Sequence, residues 1–487
     1  MSLGEVRHLG ELSAIEQALG PGGVLLPGRD DVHRYEVDVR GVAGSAAVVL
    51  RPSCTDEVRT VLAWALEQGV RLVPQGANTG VVGASVPDRS QRQGVLSLER
   101  LRQPLDLQAD ERTVVAGSGL RLSEVNDAAR EHGLHLGVDV GSDPSVGGMV
   151  STNTGGSRLI RYGDVRRHLL GLEVVLPSPG TPALSQLRTL RKDNTGLDLK
   201  QLFVGTGGSY GVVTAAAFSL DRVPDQVVTA LLVPKDMRAA IAALERIETA
   251  AGEMLSAFES MSGSALAAVR AFGPPTLRWP FGTEGPPPLS VLVELSSSGQ
   301  ATAGGARQDL QHLLVEALSP LLDAGVLRDA VQGSPDTLWP IRHEMIDALR
   351  RGGTVVGHDV SVPRRRLVAF HAGVAELVDA QAPGWTLADF GHLGDGGVHV
   401  VLWWPAERGP APRVPRVLRQ ALYDLVAAND GSFSAEHGIG PVNIERYHHY
   451  VPGEAQELTR AIKAITDPGG VLVGSGLGFS EPGGKLG

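Results

Sequence analysis

The chain has 487 residues, 42% hydrophobic and 20% charged, with a mean hydropathy of +0.01 and a formal net charge of -10. That length suits about three average domains, or fewer large α/β units, and the composition excludes a disordered or collagen-like chain. The acidic balance, without a basic stripe, argues against nucleic acid or anionic lipid as partners, and a single cysteine, Cys54, excludes an intramolecular disulfide, a thiolate-rich metal site and an iron–sulfur cluster.

The opening "MSLGEVRHLGELSAIEQALG" has scattered acids and neither the order of a secretory signal nor an apolar run able to span a bilayer, so a cytoplasmic chain is expected. From Ala46, "AAVVLRP" reads as a buried strand. Cys54 follows at a helix start and reads as a small filler beside the cap. Val58, Val61, Leu62, Ala65 and Leu66 then recur at helical spacing until Gly69. "VRLVP" is a second strand, giving a βαβ unit that runs straight into "PQGANTGVVG". "RTVVAGSG", "LRLSEVNDAAREHG" and "LHLGVDV" repeat the rhythm of an α/β half. A polar break at "SLDRVPDQ" marks a boundary near 221–224. Beyond it lie long Ala/Leu helices such as "DMRAAIAALERIETAAG", apolar runs such as "LSVLVELSSS", and Pro/Gly-rich loops at "FGPPTLRWPFGTEGPPP" and "PAERGPAPRVP". Arg364, Arg365 and Arg366 open an amphipathic helix as a solvated face.

Three glycine-rich stretches lie between Pro74 and Thr214. In "PQGANTGVVG", Gly76, Gly80 and Gly83 surround Asn78 and Thr79 just after a strand, where backbone lacking Cβ can approach a pyrophosphate and successive N–H groups form a donor concavity. It is neither the Gly-x-Gly-x-x-Gly fingerprint nor a P-loop. The second, "GSDPSVGGMVSTNTGGSRLIRYGDV", offers Gly147, Gly148, Gly155 and Gly156 with donors at Ser145, Thr152 and Asn153, suiting a long ligand laid along the backbone; "QLFVGTGGSYGVVT" repeats that composition.

The run "RKDNTGLDLKQLFVGTGGSYGVVT", with "RYGDV" and "LLGLEVVLP" upstream, resembles the flavin-binding domain of the vanillyl-alcohol oxidase/p-cresol methylhydroxylase superfamily, most closely its D-2-hydroxyacid dehydrogenase branch. The resemblance implies an α+β chain: a two-lobed PCMH-type FAD-binding domain built of two α/β subdomains, plus an α+β cap with an antiparallel sheet. The expected domains are 1–223 (core 46–223), a substrate or cap domain 224–430, and a C-terminal segment 431–487 that carries Glu436 and His437 and returns to the FAD domain. It implies FAD held by Pro74, Gly76, Ala77, Asn78, Thr79, Gly80 and Gly83, and further along by Ser145, Gly147, Gly148, Thr152, Asn153, Gly155 and Val213. No histidine lies in the first stretch, so non-covalent FAD is expected. Where the family usually has an acid in the third stretch, this chain has Gly207.

In "GHLGDGGVHVVLWW", His392 and His399 rim a glycine-rich bend ahead of a buried strand, and "SFSAEHGIG" supplies Glu436 and His437. Two imidazoles at the ends of a hairpin are by themselves more often packed or solvated than ligated; with a carboxylate they suit a divalent Zn, Mn or Fe(II) site with open positions. By resemblance His392, His399 and Glu436 are the metal ligands, Zn being the expected ion, His437 is the catalytic base, and Arg342 in "LWPIRHEM" receives the substrate carboxylate. A cation on an α-hydroxyl lowers its pKa, the base takes the proton, and hydride passes to the flavin N5.

Several positions depart from the relatives. Gly397 and Val401 stand where asparagines are expected, Ile346 where a threonine is, Gly357 where a lysine is, and Val473 where an amide often meets the flavin. Ile346, Gly357, Val401 and Arg342 are thus expected to line a substrate pocket that has lost the partners of a second carboxylate, and a buried charge without partners costs several kcal/mol. The substrate is expected to be less anionic and more apolar than 2-hydroxyglutarate, with a tail near Val401, Trp403 and Trp404. Dioxygen, a quinone or an electron-transfer flavoprotein could re-oxidise the flavin, and a homodimer is an open possibility for the assembly. The competing readings are a non-redox flavoprotein like the alkylglycerone-phosphate synthases and a catalytically degenerate flavin-binding subunit.

Overall fold

The structure, a computed structural model, describes residues 12–282, 285–299 and 309–479. The start of the N-terminal segment read above, through residue 11, and residues 283–284 of the first Pro/Gly-rich loop lie outside the described residues. The chain divides into two compact units, one comprising 1–155, 163–222 and 437–487, the other 156–162 and 223–436. Among the described residues no helix is long and apolar enough to cross a membrane.

In the first unit, strand Val48–Leu50 lies parallel to Gln93–Ser97, which lies parallel to Arg71–Gln75, with Val24–Leu25 antiparallel at the other edge. Helix Thr55–Gln68 crosses between them. It buries Val58, Val61, Leu62 and Ala65 against Leu50, Leu72 and Leu96, and it ends at Gly69, whose φ of 66° no β-carbon residue adopts cheaply. Cys54 is the residue at this helix's N-cap and is exposed, so it fills no space in the core. The later strands do not continue the parallel crossover. Leu105–Gln108, Thr113–Gly117, Val212–Ser219, Leu169–Val175 and Ala183–Gln186 form, in that order, a sheet that is antiparallel throughout. "LHLGVDV" contributes only the two-residue strand Leu134–His135.

The second unit is built on an antiparallel sheet in the order Leu327–Gly333, Gln226–Pro234, Leu289–Ser297, Leu255–Ser262, Phe390–Gly391, Gly397–Pro405 and Gly353–Ser361, with Thr386–Leu387 also paired to Gly397–Pro405. Helices Met237–Ala251 and Leu310–Asp323 and helices Gly263–Phe272 and Met345–Gly352 pack as pairs, the latter burying Leu266, Val269, Met345 and Leu349. Helix Leu367–Gln381 follows the single turn Arg364–Arg366.

Candidate functional site

In the first unit the glycine-rich stretches converge although each lies dozens of residues from the next in the chain. Helix Val146–Thr152 starts at Ser145, whose Oγ accepts from Gly148 N, and ends at Asn153 in the left-handed region, φ 52°. A Cβ at Gly76 would lie 2.2 Å from Ser145 Oγ, and one at Gly147 only 2.7 Å from Ser118 Cβ. Asn78, φ 56°, donates from Nδ2 to the carbonyls of Arg34 and Val37 and accepts from Ser85 Oγ. Asn153 Nδ2 donates to Asp164. The third stretch hangs on the same helix, with Gly205 N bonded to Val150 O and Gly207 N to Ser151 O. The short approach at Gly76, the N-terminus of the helix at Ser145 and a buried Ser118 Oγ without a hydrogen-bond partner among the described residues suit a phosphate-bearing ligand laid against backbone, as FAD would be. Val213 is buried in strand Val212–Ser219, while Pro74 packs near Gly208. Gly207 has φ +62°, and an added Cβ would meet Ser475 Cβ at 2.7 Å, which is the physical reason an acid has no room there.

In the second unit His392, His399 and Glu436 offer ligand atoms that lie within 4.8 Å of one another. His392 Nε2 is 3.2 Å from Glu436 Oε1 and His399 Nε2 is 3.9 Å from Glu436 Oε2. The bend between them is a tight turn in which Asp395, Gly396 and Gly397 all return their N–H to His392 O, and Asp395 Oδ1 accepts from Gly397 N. Each imidazole has a carboxylate on its other nitrogen. Glu259 Oε1 is 2.7 Å from His392 Nδ1, and Asp359 Oδ1 is 3.7 Å from His399 Nδ1, while Asp359 Oδ2 also accepts from Glu436 N. The Glu259 carboxylate, hydrogen-bonded to Nδ1 of His392, fixes that imidazole's tautomer and leaves its Nε2 available as a ligand, while Asp359 stands farther from His399. The donor set therefore fits a divalent ion of the Zn kind.

The electrostatics follow. Burial pushes the Glu259 carboxyl up, but the charges of His392 and Arg342 outweigh it and hold the group down at about 2. Burial pulls His392 down, yet Glu259 and Glu436 raise it well above the ordinary imidazole value. His399 is lowered to about 4 by burial and by the neighbouring His392, so it is a neutral imidazole, the form that ligates. Burial lifts Asp395 to about 6.

Arg342 is engaged by a buried carboxylate. From helix Pro335–His343 its Nε donates to Glu259 Oε2 at 2.8 Å, and its Cζ lies 4.8 Å from the centre of the Phe390 ring, which in turn lies 5.3 Å from the His399 ring. Cross-strand register places Asp359 opposite His399, Gly357 opposite Val401 and Val355 opposite Trp403. Because side chains alternate, His399, Val401 and Trp403 share one face with Asp359, Gly357 and Val355. Ile346 packs in the same cluster, and a Cβ at Gly357 would enter open space. Trp404, expected beside a substrate tail, points to the other face and packs on Trp385 at 5.7 Å. His437 follows Glu436 directly in the chain.

Glu259 and Asp359 were not singled out in the sequence. Glu259 carried a signal nonetheless, since an acid inside the apolar run "LSAFESMS" must have buried partners. Asp359 becomes meaningful only once strand pairing sets it opposite His399.

The chain matches two family profiles: "FAD linked oxidases, C-terminal domain" over residues 223–473 and "FAD binding domain" over 46–181. It is 34% identical to the mitochondrial D-2-hydroxyglutarate dehydrogenase of Bos taurus over 472 residues, covering 95% of this chain and 82% of that one. It is 30% identical to a D-2-hydroxyglutarate–pyruvate transhydrogenase of Saccharomyces cerevisiae over 88% of this chain and 86% of that one. A solved alkyldihydroxyacetonephosphate synthase superposes with a TM-score of 0.68 at 15% identity, covering 97% and 84% of the two chains.

Proposed function

The chain belongs to the FAD-linked oxidase family, in its D-2-hydroxyacid dehydrogenase branch, and is an oxidoreductase acting on CH–OH; from that premise we propose that it oxidises a 2-hydroxy acid or related alcohol with the help of a divalent ion. What carries the reading is the convergence of His392, His399 and Glu436, each imidazole backed by a buried carboxylate. When bound, FAD would supply the hydride acceptor and the ion would lower the pKa of the hydroxyl.

The chain's own residues do the rest. His392 Nε2, His399 Nε2 and the Glu436 carboxylate would hold the ion, and His437 would accept the hydroxyl proton at a ring nitrogen. Arg342 has Nε engaged by Glu259, so its Nη groups are those left for a substrate carboxylate. The face that continues from His399 to Val401 and Trp403, with Ile346 beside it and no side chain at Gly357, suits an apolar substituent on the hydroxy acid better than a second carboxylate. Expected substrates are therefore monocarboxylic and more hydrophobic than 2-hydroxyglutarate.

Anaerobic bleaching of the bound flavin by D-2-hydroxyglutarate, D-lactate and hydrophobic 2-hydroxy acids tests this, with metal content measured after mild dialysis. Fast bleaching by D-2-hydroxyglutarate overturns the specificity, and full turnover in metal-free protein overturns the role of the ion.

A further inference from the structure

Lys463 lies on helix Gly453–Thr466, where Leu458 and Ile465 are mostly exposed, yet its own side chain is 5% exposed. A buried ammonium is costly unless it is paired and fully hydrogen-bonded, so its three donors mark what the position is for. Nζ donates to the Asp467 carboxylate, to Leu472 O at 2.7 Å and to Ser209 O in the third glycine-rich stretch. Asp467 in turn accepts from Val471 N at 2.9 Å and Leu472 N at 2.8 Å, which fixes the turn that reverses the chain after the helix.

The reversed chain then runs between the glycine-rich stretches. Leu72 N donates to Val471 O and Val473 N to Leu72 O, so residues 471–473 lie beside strand Arg71–Gln75, which leads into the first stretch. A Cβ at Gly474 would be 2.9 Å from both Ala84 O and Gly207 O. Ser475 completes the seam. Its Oγ is 2.6 Å from Ser209 Oγ and donates to Thr206 O at 2.9 Å, while its N donates to Ser209 Oγ at 3.0 Å. The third stretch is bonded to the backbone of helix Val146–Thr152, which opens at Ser145.

We propose that segment 471–475 locks the FAD cradle, and that Lys463 and Ser475 are positioning residues for the cofactor, acting through the third glycine-rich stretch. Lys463 ties two carbonyls from segments far apart in the chain to one cation, and Ser475 takes the space that a side chain at Gly207 would need. The seam requires no contact between these two side chains and FAD; it sets where the donors of the cradle stand.

The test titrates the full-length apoprotein with FAD, following flavin fluorescence and the visible circular dichroism of the bound flavin, for the wild type, Lys463→Met, Ser475→Ala and the exposed control Ile465→Ser. Ser475→Ala is expected to raise the FAD Kd several-fold and Lys463→Met at least tenfold, with altered visible dichroism at saturating FAD and an unchanged far-UV spectrum of the apoprotein; Ile465→Ser matches the wild type. Should Lys463→Met not fold, Ser475→Ala decides alone. A wild-type Kd and wild-type flavin dichroism in Ser475→Ala overturn the proposal.

Discussion

Arg342 and Glu259 form a buried ion pair, Nε to Oε2 at 2.8 Å, with the two side chains 9% and 1% exposed. The second oxygen of Glu259 reaches His392, so one carboxylate joins the arginine expected at the substrate to an imidazole expected at the ion. Breaking a buried pair by deleting one partner strands the other charge, whereas a neutral isostere keeps the shape.

Glu259→Gln is therefore expected to fold and to bind the divalent ion about 10 to 100 times more weakly than the wild type, read by competition with a chromogenic chelator. Glu259→Ala is expected to cost about 3–5 kcal/mol of unfolding free energy, measured in urea. A glutamine variant that holds its ion as tightly as the wild type would show that the carboxylate does not orient His392.

Glu436→Gln removes the only carboxylate ligand of the expected set. Metal content after dialysis should fall to background, and substrate-driven flavin reduction should slow by roughly 10²–10⁴. FAD content, measured by absorbance, should be unaffected.

Gly147→Ala places a methyl 2.7 Å from Ser118 Cβ, a clash that no rotamer relieves. Overpacking of this sort costs about 1–3 kcal/mol. Because Gly147 lies in the first turn of helix Val146–Thr152, the helix start should move and the purified protein should emerge with substoichiometric FAD.

Acid should loosen the first unit through Glu99. Burial raises this carboxyl, but the Tyr35 hydroxyl bonded to it and the Arg34 and Arg51 cations hold it below its usual range. A carboxylate depressed in the folded state binds fewer protons there than when unfolded, so its stabilisation is present above the ordinary carboxylate value of 4.5 and fades as pH drops through the depressed value. Glu99→Gln should thus flatten the dependence of melting temperature on pH below about 4.5, while it lowers stability at neutral pH. An unchanged acid limb would exclude Glu99 as its source.

Much of this was legible in the residues. The helix from Thr55 to Gln68 and its Gly69 stop follow from spacing alone, and the His392, His399 and Glu436 constellation follows from motif resemblance. Features that depend on strand register were hidden. The alternation that puts Trp404 behind the sheet and Val401 beside His399 is decided by pairing with Gly353–Ser361, and no local pattern announces it. The antiparallel second sheet was equally hidden, because Val212–Ser219 pairs with strands nearly a hundred and about forty residues earlier.

The pairing of Gly353–Ser361 with Gly397–Pro405 runs from end to end without a bulge. Inserting or deleting one residue in either strand would turn His399 away and bring an aliphatic neighbour in its place. Positions 357 and 401 can therefore be redecorated without disturbing the register, whereas a change in the length of either strand would undo the placement of His399 opposite Asp359.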